Sequence, residues 1–295
     1  MQSKLASRKA KNILVVFILF ITLIVFVSFF ARHPEYLTQL RQTNPWWIIA
    51  VIILNIPMII LLVLIYGVLL RFCAKRIPIS ENFMLTSYSS IINFFGPLQS
   101  GPGVRATYLK TRHKVRLRDY GLATLIYYGI FACFSALFLL AGNLPWWQMS
   151  LVLIIVAGIS YWIIKQFMRR DKNSATSQFH LKGSLLAVLI IFCFLQVLLT
   201  AITYFVELKA VNPDIGWGQA VSYAGAANFA LFVSLTPDAI GFREAFLVFS
   251  QRFHHVSTPD ILSANVIDRG AYLIFLSLLA IIVLSVHVKS RLRLS

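Results

Sequence analysis

Residues 87–109 read SYSSIINFFGPLQSGPGVRATYL, and residues 222–247 read SYAGAANFALFVSLTPDAIGFREAFL. Ser87-Tyr88 recurs as Ser222-Tyr223, Asn93-Phe94 as Asn228-Phe229, Pro97 as Pro237, and Gly103-x-Arg105 as Gly241-x-Arg243. The match continues through Leu109 and Leu247, Asp119 and Asp260, Ala123 and Ala264, and Gly129 and Gly270, with small insertions in the second copy. Each copy is apolar on both sides of a break. In the first the break is Gly96-Pro97 and Gly101-Pro102-Gly103; in the second it is Thr236-Pro237-Asp238 and Gly241. The arms hold about 12–17 residues, fewer than the ~20 that span a bilayer core, and Pro does not continue a helix interior. The stretches 82–109 and 219–252 therefore read as re-entrant helical hairpins. Broken backbone at membrane depth is stable only where it is buried in protein or lines a watery cavity.

The rest of the chain supplies the membrane context. It has 295 residues, 59% of them hydrophobic and only 13% charged, with a mean hydropathy of +0.78. A soluble domain carries roughly 25% charged residues. The expected fold class is an all-α polytopic membrane protein, a single domain over 1–295. Six full spans are expected, near 13–30, 46–70, 119–142, 146–164, 183–206 and 259–288, with the two hairpins between them.

The distribution of positive charge tests this layout. With the N-terminus in the cytoplasm, 21 of the 27 basic residues fall on the cytoplasmic side, including the run from Arg112 to Arg118. Counting the first hairpin as a full crossing would export that run. The first apolar run follows a basic start as a signal peptide does, but its core is long and Phe29-Phe30-Ala31-Arg32 is no cleavage site, so it reads as a retained span. Trp46, Trp47, Trp146, Trp147 and Trp217 fall at predicted outer boundaries, where amphipathic rings settle. Three crossings separate the hairpins, and an odd number inverts the second copy. The repeat units are then 46–142 and 183–288, an inverted pair of the kind that forms midplane sites in secondary transporters.

The candidate site follows from the breaks. A half-helix starting inside the membrane points unpaired N–H groups and a positive dipole end at the break, and an arginine there adds a fork that suits phosphate. Arg105, Gly103, Pro97 and Asn93 in the first copy, and Arg243, Gly241 and Asn228 in the second, are the candidate substrate-binding residues. The competing reading is that both arginines snorkel to opposite interfaces and that the two asparagines bond across helices as structural glue.

Asp238, Glu244, Asp268 and Arg269 add charge to the second copy alone. Bare charge at this depth costs at least about 2.5 kcal/mol, so these residues are expected to pair, as an ion-pair network or gate. Neighbours on a helix face apart, so Arg243 with Asp268 and Glu244 with Arg269 are the expected pairs. The first copy has Tyr127 and Tyr128 in place of Asp268 and Arg269 and no acid beside Arg105, which leaves that arginine open to an external anion. Cys73, Cys133 and Cys193 read as packing residues. His113, His180 and the pair His254-His255 read as solvated. No metal or cofactor is expected, no ATP-binding motif is present, and a net charge of +17 reflects orientation and anionic lipids, each worth on the order of 1 kcal/mol per basic residue, rather than nucleic acid.

The run Pro237-Asp-Ala-Ile-Gly-Phe-Arg-Glu-Ala, followed by an apolar helix and Asp268-Arg269, resembles the flippase-like family typified by the membrane region of lysylphosphatidylglycerol synthases. Asn93-Phe-Phe-Gly-Pro, Gly103-Val-Arg105 and Tyr108-Leu-Lys110 resemble that family's other signature. Two features depart from it: the lead before the second motif is Pro-Asp-Ala-Ile-Gly rather than glycine-rich, and the soluble aminoacyl-transferring domain of the synthases is absent. The resemblance implies an inner-membrane, multi-pass protein that moves or binds lipids or lipid-linked molecules. It points to a flippase or transporter of an anionic phospholipid or lipid-linked intermediate, rather than an enzyme. The alternatives are a membrane-embedded headgroup enzyme, which lacks a recognisable nucleophile or metal motif here, and a non-transporting partner of a lipid-synthesising enzyme.

Overall fold

The computed structural model describes residues 44–95, 100–141, 179–233 and 242–292, together with scattered positions between 145 and 162. Among the described residues nine helices are continuous: α1 (Pro45–Phe72), α2 (Ile79–Phe95), α3 (Gly101–His113), α4 (Leu117–Leu140), α5 (Gly183–Val211), α6 (Trp217–Val233), α7 (Phe242–Phe249), α8 (Gln251–His254) and α9 (Thr258–Leu292). No strand occurs among them. Four helices are long and apolar enough to cross a membrane: α1, α4, α5 and, over Thr258–Val283, α9. The expected spans at 13–30 and 146–164 lie outside the described residues, the second apart from scattered positions.

Local chemistry places the helix ends. The Asn44 side chain accepts from the Trp46 amide at 3.1 Å ahead of Pro45 at the first helical position, where a missing N–H costs nothing. Ser257 caps α9 by accepting from the Asp260 amide at 3.3 Å. α3 ends at Lys114 and α8 at His255, both in the left-handed conformation that closes a helix C-terminus.

The chain doubles back on itself at both interrupted stretches. α2, with 17 residues, is about 25 Å long, and α3 returns along it. Contacts pair 81 with 108 and 113, 82 and 86 with 105, and 89 with 101, an antiparallel register whose open ends lie together. Gly101 is required there, because a Cβ would sit 2.4 Å from the Ser89 carbonyl oxygen. At the open end Glu81 accepts from the Tyr108 hydroxyl at 2.7 Å and meets His113 Nε2 at 2.6 Å. Burial opposes ionisation of Glu81. The hydrogen bonds from Tyr108 and His113, with the charges of His113 and Arg112, outweigh it and hold the carboxyl below its usual range. His113 is thus a strut of the hairpin, where the sequence placed it in solvent. α6, α7 and α8 likewise return on one another: Gln219 Nε2 donates to the His255 carbonyl at 3.2 Å, and the Tyr223 and His254 rings lie 5.3 Å apart.

The packing is reciprocal between the halves. α1 packs on α5; α4, the last helix of the first half, packs on α6, and α9, the last of the second, packs on α2. α9 also packs on α1, and α4 on α5. Exchanging the halves maps each contact onto another. α6 approaches α4 closely. Ala220, Ala224, Ala226, Ala227 and Ala230 are fully buried, a Cβ on Gly225 would fall 2.1 Å from the Leu139 nitrogen, and Ser222 Oγ donates to the Ala141 carbonyl at 2.7 Å. Small side chains let helix backbones approach where lipid supplies no hydrophobic drive. The outward faces of α1 and α5 remain apolar and exposed, as at Ile53, Ile56, Ile60, Ile191 and Phe194, which is the surface a bilayer covers.

Candidate functional site

Arg105 lies at the start of α3, aimed back into its own hairpin. Its side chain is fully buried. Nη1 donates to Thr86 Oγ1 at 2.9 Å, Nη2 donates to Asn82 Oδ1, and the guanidinium stacks 3.9 Å from the centroid of the Tyr66 ring of α1. Tyr120 of α4 lies within hydrogen-bonding reach. Asn82 is held in turn by donating Nδ2 to the Val63 carbonyl at 2.7 Å. Every one of these partners is neutral, and Nε is buried without a partner among the described residues. No acid contacts it among the described residues, but the arginine is enclosed rather than open to an external anion, and it does not snorkel. The stacked ring and the Asn82–Thr86 edge of α2 fill the space that an anion would occupy.

A cleft leads to this enclosure from outside. It has a volume of about 300 Å³ and runs between Val63, Leu64 and Val68 of α1 and Val188 and Phe192 of α5. Arg71 and Arg76 stand at one end, and Asn82, the residue that holds Arg105, forms part of its wall. Arg71 and Arg76 also line a wider basic pocket of about 590 Å³ with Lys75, His180 and Lys182. An apolar slot that opens into a basic cup matches an amphiphile with a negative head.

The second arginine occupies the matching place with different chemistry. Arg243 Nη1 donates to the Tyr204 hydroxyl of α5 at 3.3 Å, and Nη2 lies 2.5 Å from Asp268 Oδ2. Arg269 Nη2 lies 2.5 Å from Glu244 Oε1. Both cross-pairs expected from helical geometry are formed. They are contacts of charge against charge, close in distance but off the line of a good N–H···O bond. A further repeat shows only in three dimensions: Tyr66 stands 138 positions before Tyr204, and Arg105 138 before Arg243, so each hairpin arginine meets a tyrosine of the first helix of its half.

The remaining candidates separate. Asn93 Oδ1 and Asn228 Nδ2 are both buried without a hydrogen-bond partner among the described residues, so these atoms are not the interhelical glue. Asn82 fills that role in the first hairpin by bonding α1, and in the second half Asn265 of α9 bonds α6 by donating to the Tyr223 hydroxyl at 3.2 Å, with the Ile261 carbonyl of its own helix at 2.8 Å. Gly103 faces open space, with nothing within 4 Å of a Cβ built on it, and does not line the Arg105 enclosure. Pro97, Gly241 and Asp238 lie outside the described residues.

His254 is not solvated. Fully buried, it contacts the Leu247 carbonyl at 2.9 Å through Nε2 and accepts from the Val256 amide at 3.2 Å through Nδ1. Burial pushes its pKa down to about 4, against the Leu247 contact, with the nearby His255 charge adding to the fall. Cys73 and Cys193 are buried among apolar side chains, as expected. No group of three or more metal-ligating side chains occurs among the described residues.

Tyr66, Asn82, Thr86, Tyr120 and Glu207 escaped sequence reasoning. Tyr66 has its counterpart Tyr204 outside the two motif stretches, and Asn82, Thr86 and Tyr120 have no counterpart of the same type in the second copy. Glu207 offered a signal: it is an acid in the apolar stretch Gly183–Val211, and an acid in a span marks function by its cost alone.

The family model described as "Lysylphosphatidylglycerol synthase TM region" matches residues 12–280. The chain belongs to this family. No curated protein matches it. Membership in the lysylphosphatidylglycerol synthase membrane-region family fixes the chain as a helical membrane protein with a lipid-related role. Both hairpins, the cleft and the two cross-pairs fall inside the matched residues.

Proposed function

We propose that the protein moves an anionic phospholipid, or a lipid-linked molecule with an anionic head, between the leaflets of the cell's inner membrane. The cleft between α1 and α5 is the observation that carries this reading, because its apolar walls and arginine mouth lead to the Asn82–Arg105 contact. Its volume suits a glycerophosphate head, at the lower end of small-molecule sites, while the acyl chains stay in lipid along the exposed face of α1. With both termini in the cytoplasm, the Arg71 end is the cytoplasmic one. The phosphate enters there, draws Asn82 away from Arg105, and replaces neutral acceptors by a charge-assisted fork. The halves are then an inverted pair in which the second hairpin, closed by its ion pairs, opens toward the other side. Rocking of one half against the other exposes the buried arginines alternately.

The test is leaflet exchange of fluorescent phosphatidylglycerol in proteoliposomes, read by quenching from outside. Protein-dependent exchange that falls at least tenfold in Arg105→Ala and in the Arg71→Gln, Arg76→Gln double variant supports the reading. Headgroup turnover would replace it with a membrane-embedded enzyme. Neither exchange nor turnover would leave a non-transporting partner that offers its basic pocket to a lipid-synthesising enzyme.

A further inference from the structure

The charged cluster of the second half has one acid too many. Glu207 on α5 is fully buried, and neither carboxyl oxygen has a donor among the described residues. What it faces is the carboxyl of Asp268, within hydrogen-bonding range, with the Arg243 guanidinium close by. Arg243 is already paired with Asp268 and Arg269 with Glu244. Among the described residues, three carboxyls therefore share two guanidiniums.

Among the described residues the surroundings supply no further cation. α5 contributes Tyr204, α6 contributes Tyr223, α7 contributes Arg243 and Glu244, and α9 contributes Asp268 and Arg269. Where α1 packs on α5 and α9 it brings apolar Val51 and Ile52, and α4 brings Phe138 and Leu139 to the same core. His254 meets Tyr223 edge to face and is spent on the Leu247 carbonyl.

We propose that Glu207 and Asp268 form a proton-binding pair whose occupancy sets whether the second hairpin is closed. Two carboxyls in hydrogen-bond contact need one proton between them, because two bare carboxylates in a buried site repel. With the proton on Glu207, the cluster is neutral and the closed arrangement described above is stable. Release of the proton to water leaves two carboxylates competing for Arg243 and one uncompensated negative charge. Uncompensated buried charge is strongly destabilising, so α7 separates from α5 and α9 and water enters. Proton uptake reverses the step. No other bond is made or broken. Among the described residues no group of three metal-ligating side chains forms here, so a proton suits the Glu207–Asp268 pair better than a metal ion. This inference rests on the transport reading for its consequence, the coupling of lipid movement to a proton gradient, but the proton itself is testable alone.

The first arm is infrared pH titration of the purified protein in detergent. Wild type shows a protonated-carboxyl band at neutral pH that Glu207→Gln removes. A band that is absent, or that survives in Glu207→Gln, overturns the proposal. Glu207→Gln imitates the protonated side chain in shape and charge and is expected to fold, and above pH 6.5, clear of the His254 titration, its melting temperature is flat with pH where that of wild type falls as pH rises. A flat wild-type profile also overturns it. The second arm is lipid exchange under an imposed gradient. With one proton per lipid, a gradient of one pH unit shifts the leaflet distribution of labelled phosphatidylglycerol by up to about tenfold, and Glu207→Gln abolishes the shift. A carboxyl band without any lipid exchange retains the proton pair and refutes the transport reading. Exchange driven by sodium in place of protons refutes the pair as the coupling site.

Discussion

Replacing Gly225 by alanine adds one methyl group where the backbones of α6 and α4 nearly touch. The new Cβ would lie 2.1 Å from the Leu139 nitrogen and 2.6 Å from both Leu139 Cα and the Ser135 carbonyl oxygen. These are backbone atoms of a packed helix and cannot swing aside. Restoring ordinary contact at 3.4 Å means moving α6 outward by about 1.3 Å against the nitrogen, and overpacking on this scale costs about 1–3 kcal/mol. The displacement also stretches the bond from Ser222 Oγ to the Ala141 carbonyl, a further loss of about 0.5–1.5 kcal/mol. The total is roughly 2–4 kcal/mol. Gly121 is the control: it lies within α4 with nothing within 4 Å of a Cβ, so Gly121→Ala gains about 0.5–1 kcal/mol from helix propensity. The buried thiols of Cys73 and Cys193 make the assay direct, because a thiol-reactive dye labels them only on unfolding. Gly225→Ala should label at lower temperature than wild type and Gly121→Ala at higher. A Gly225→Ala protein that melts with or above wild type would refute the close approach of α6 to α4.

Removing Arg269 alone, as Arg269→Met, takes from the buried Oε1 of Glu244 the guanidinium 2.5 Å away and costs about 3–5 kcal/mol, while the double variant with Glu244→Met recovers most of that in the same melting assay. Asn82→Leu takes from Arg105 its Nη2 acceptor and leaves a buried charged donor unmet, a loss of about 2–3 kcal/mol, with lipid exchange slowed as well. His254 makes the segment 250–256 acid-sensitive. The packed segment refuses the proton that a detached one accepts, so stability is complete above pH 6.5 and is lost as pH falls toward 4, by up to about 3 kcal/mol. Amide exchange across 250–256 should quicken in that window in wild type and not in His254→Phe.

The hairpins were legible because polar and helix-breaking residues recur in the same order in two apolar stretches, and the order survives insertions that blur the alignment. The cross-pairs Arg243–Asp268 and Glu244–Arg269 were legible from helical geometry alone, since adjacent charges on α9 must find partners elsewhere. What surrounds Arg105 was not. A tyrosine such as Tyr66 in a span is equally at home in packing, at an interface or over a cation, and only the return of α3 along α2 decides among these. The closure of Arg105 by neutral groups was hidden for the same reason: a search for acids finds none, yet an amide, a hydroxyl and a ring enclose it. His254 read as solvated because it falls near the expected outer surface with no second ligand at helical spacing, when the reversal at α8 turns it inward against Tyr223.

The reciprocal packing of the halves sets an order of events during synthesis. Tyr272 of α9 closes over Phe94 of α2 with ring centroids 5.5 Å apart, yet 178 residues separate the two in the chain. At roughly 5–20 residues per second, the first hairpin waits on the order of 10–35 s for its cover. During that interval Asn82, Thr86 and Arg105 must hold one another without help from the second half. The neutral cage around Arg105 is local to α1–α4 and complete before α5 begins, so a nascent first half carries its buried charge already solvated by its own side chains.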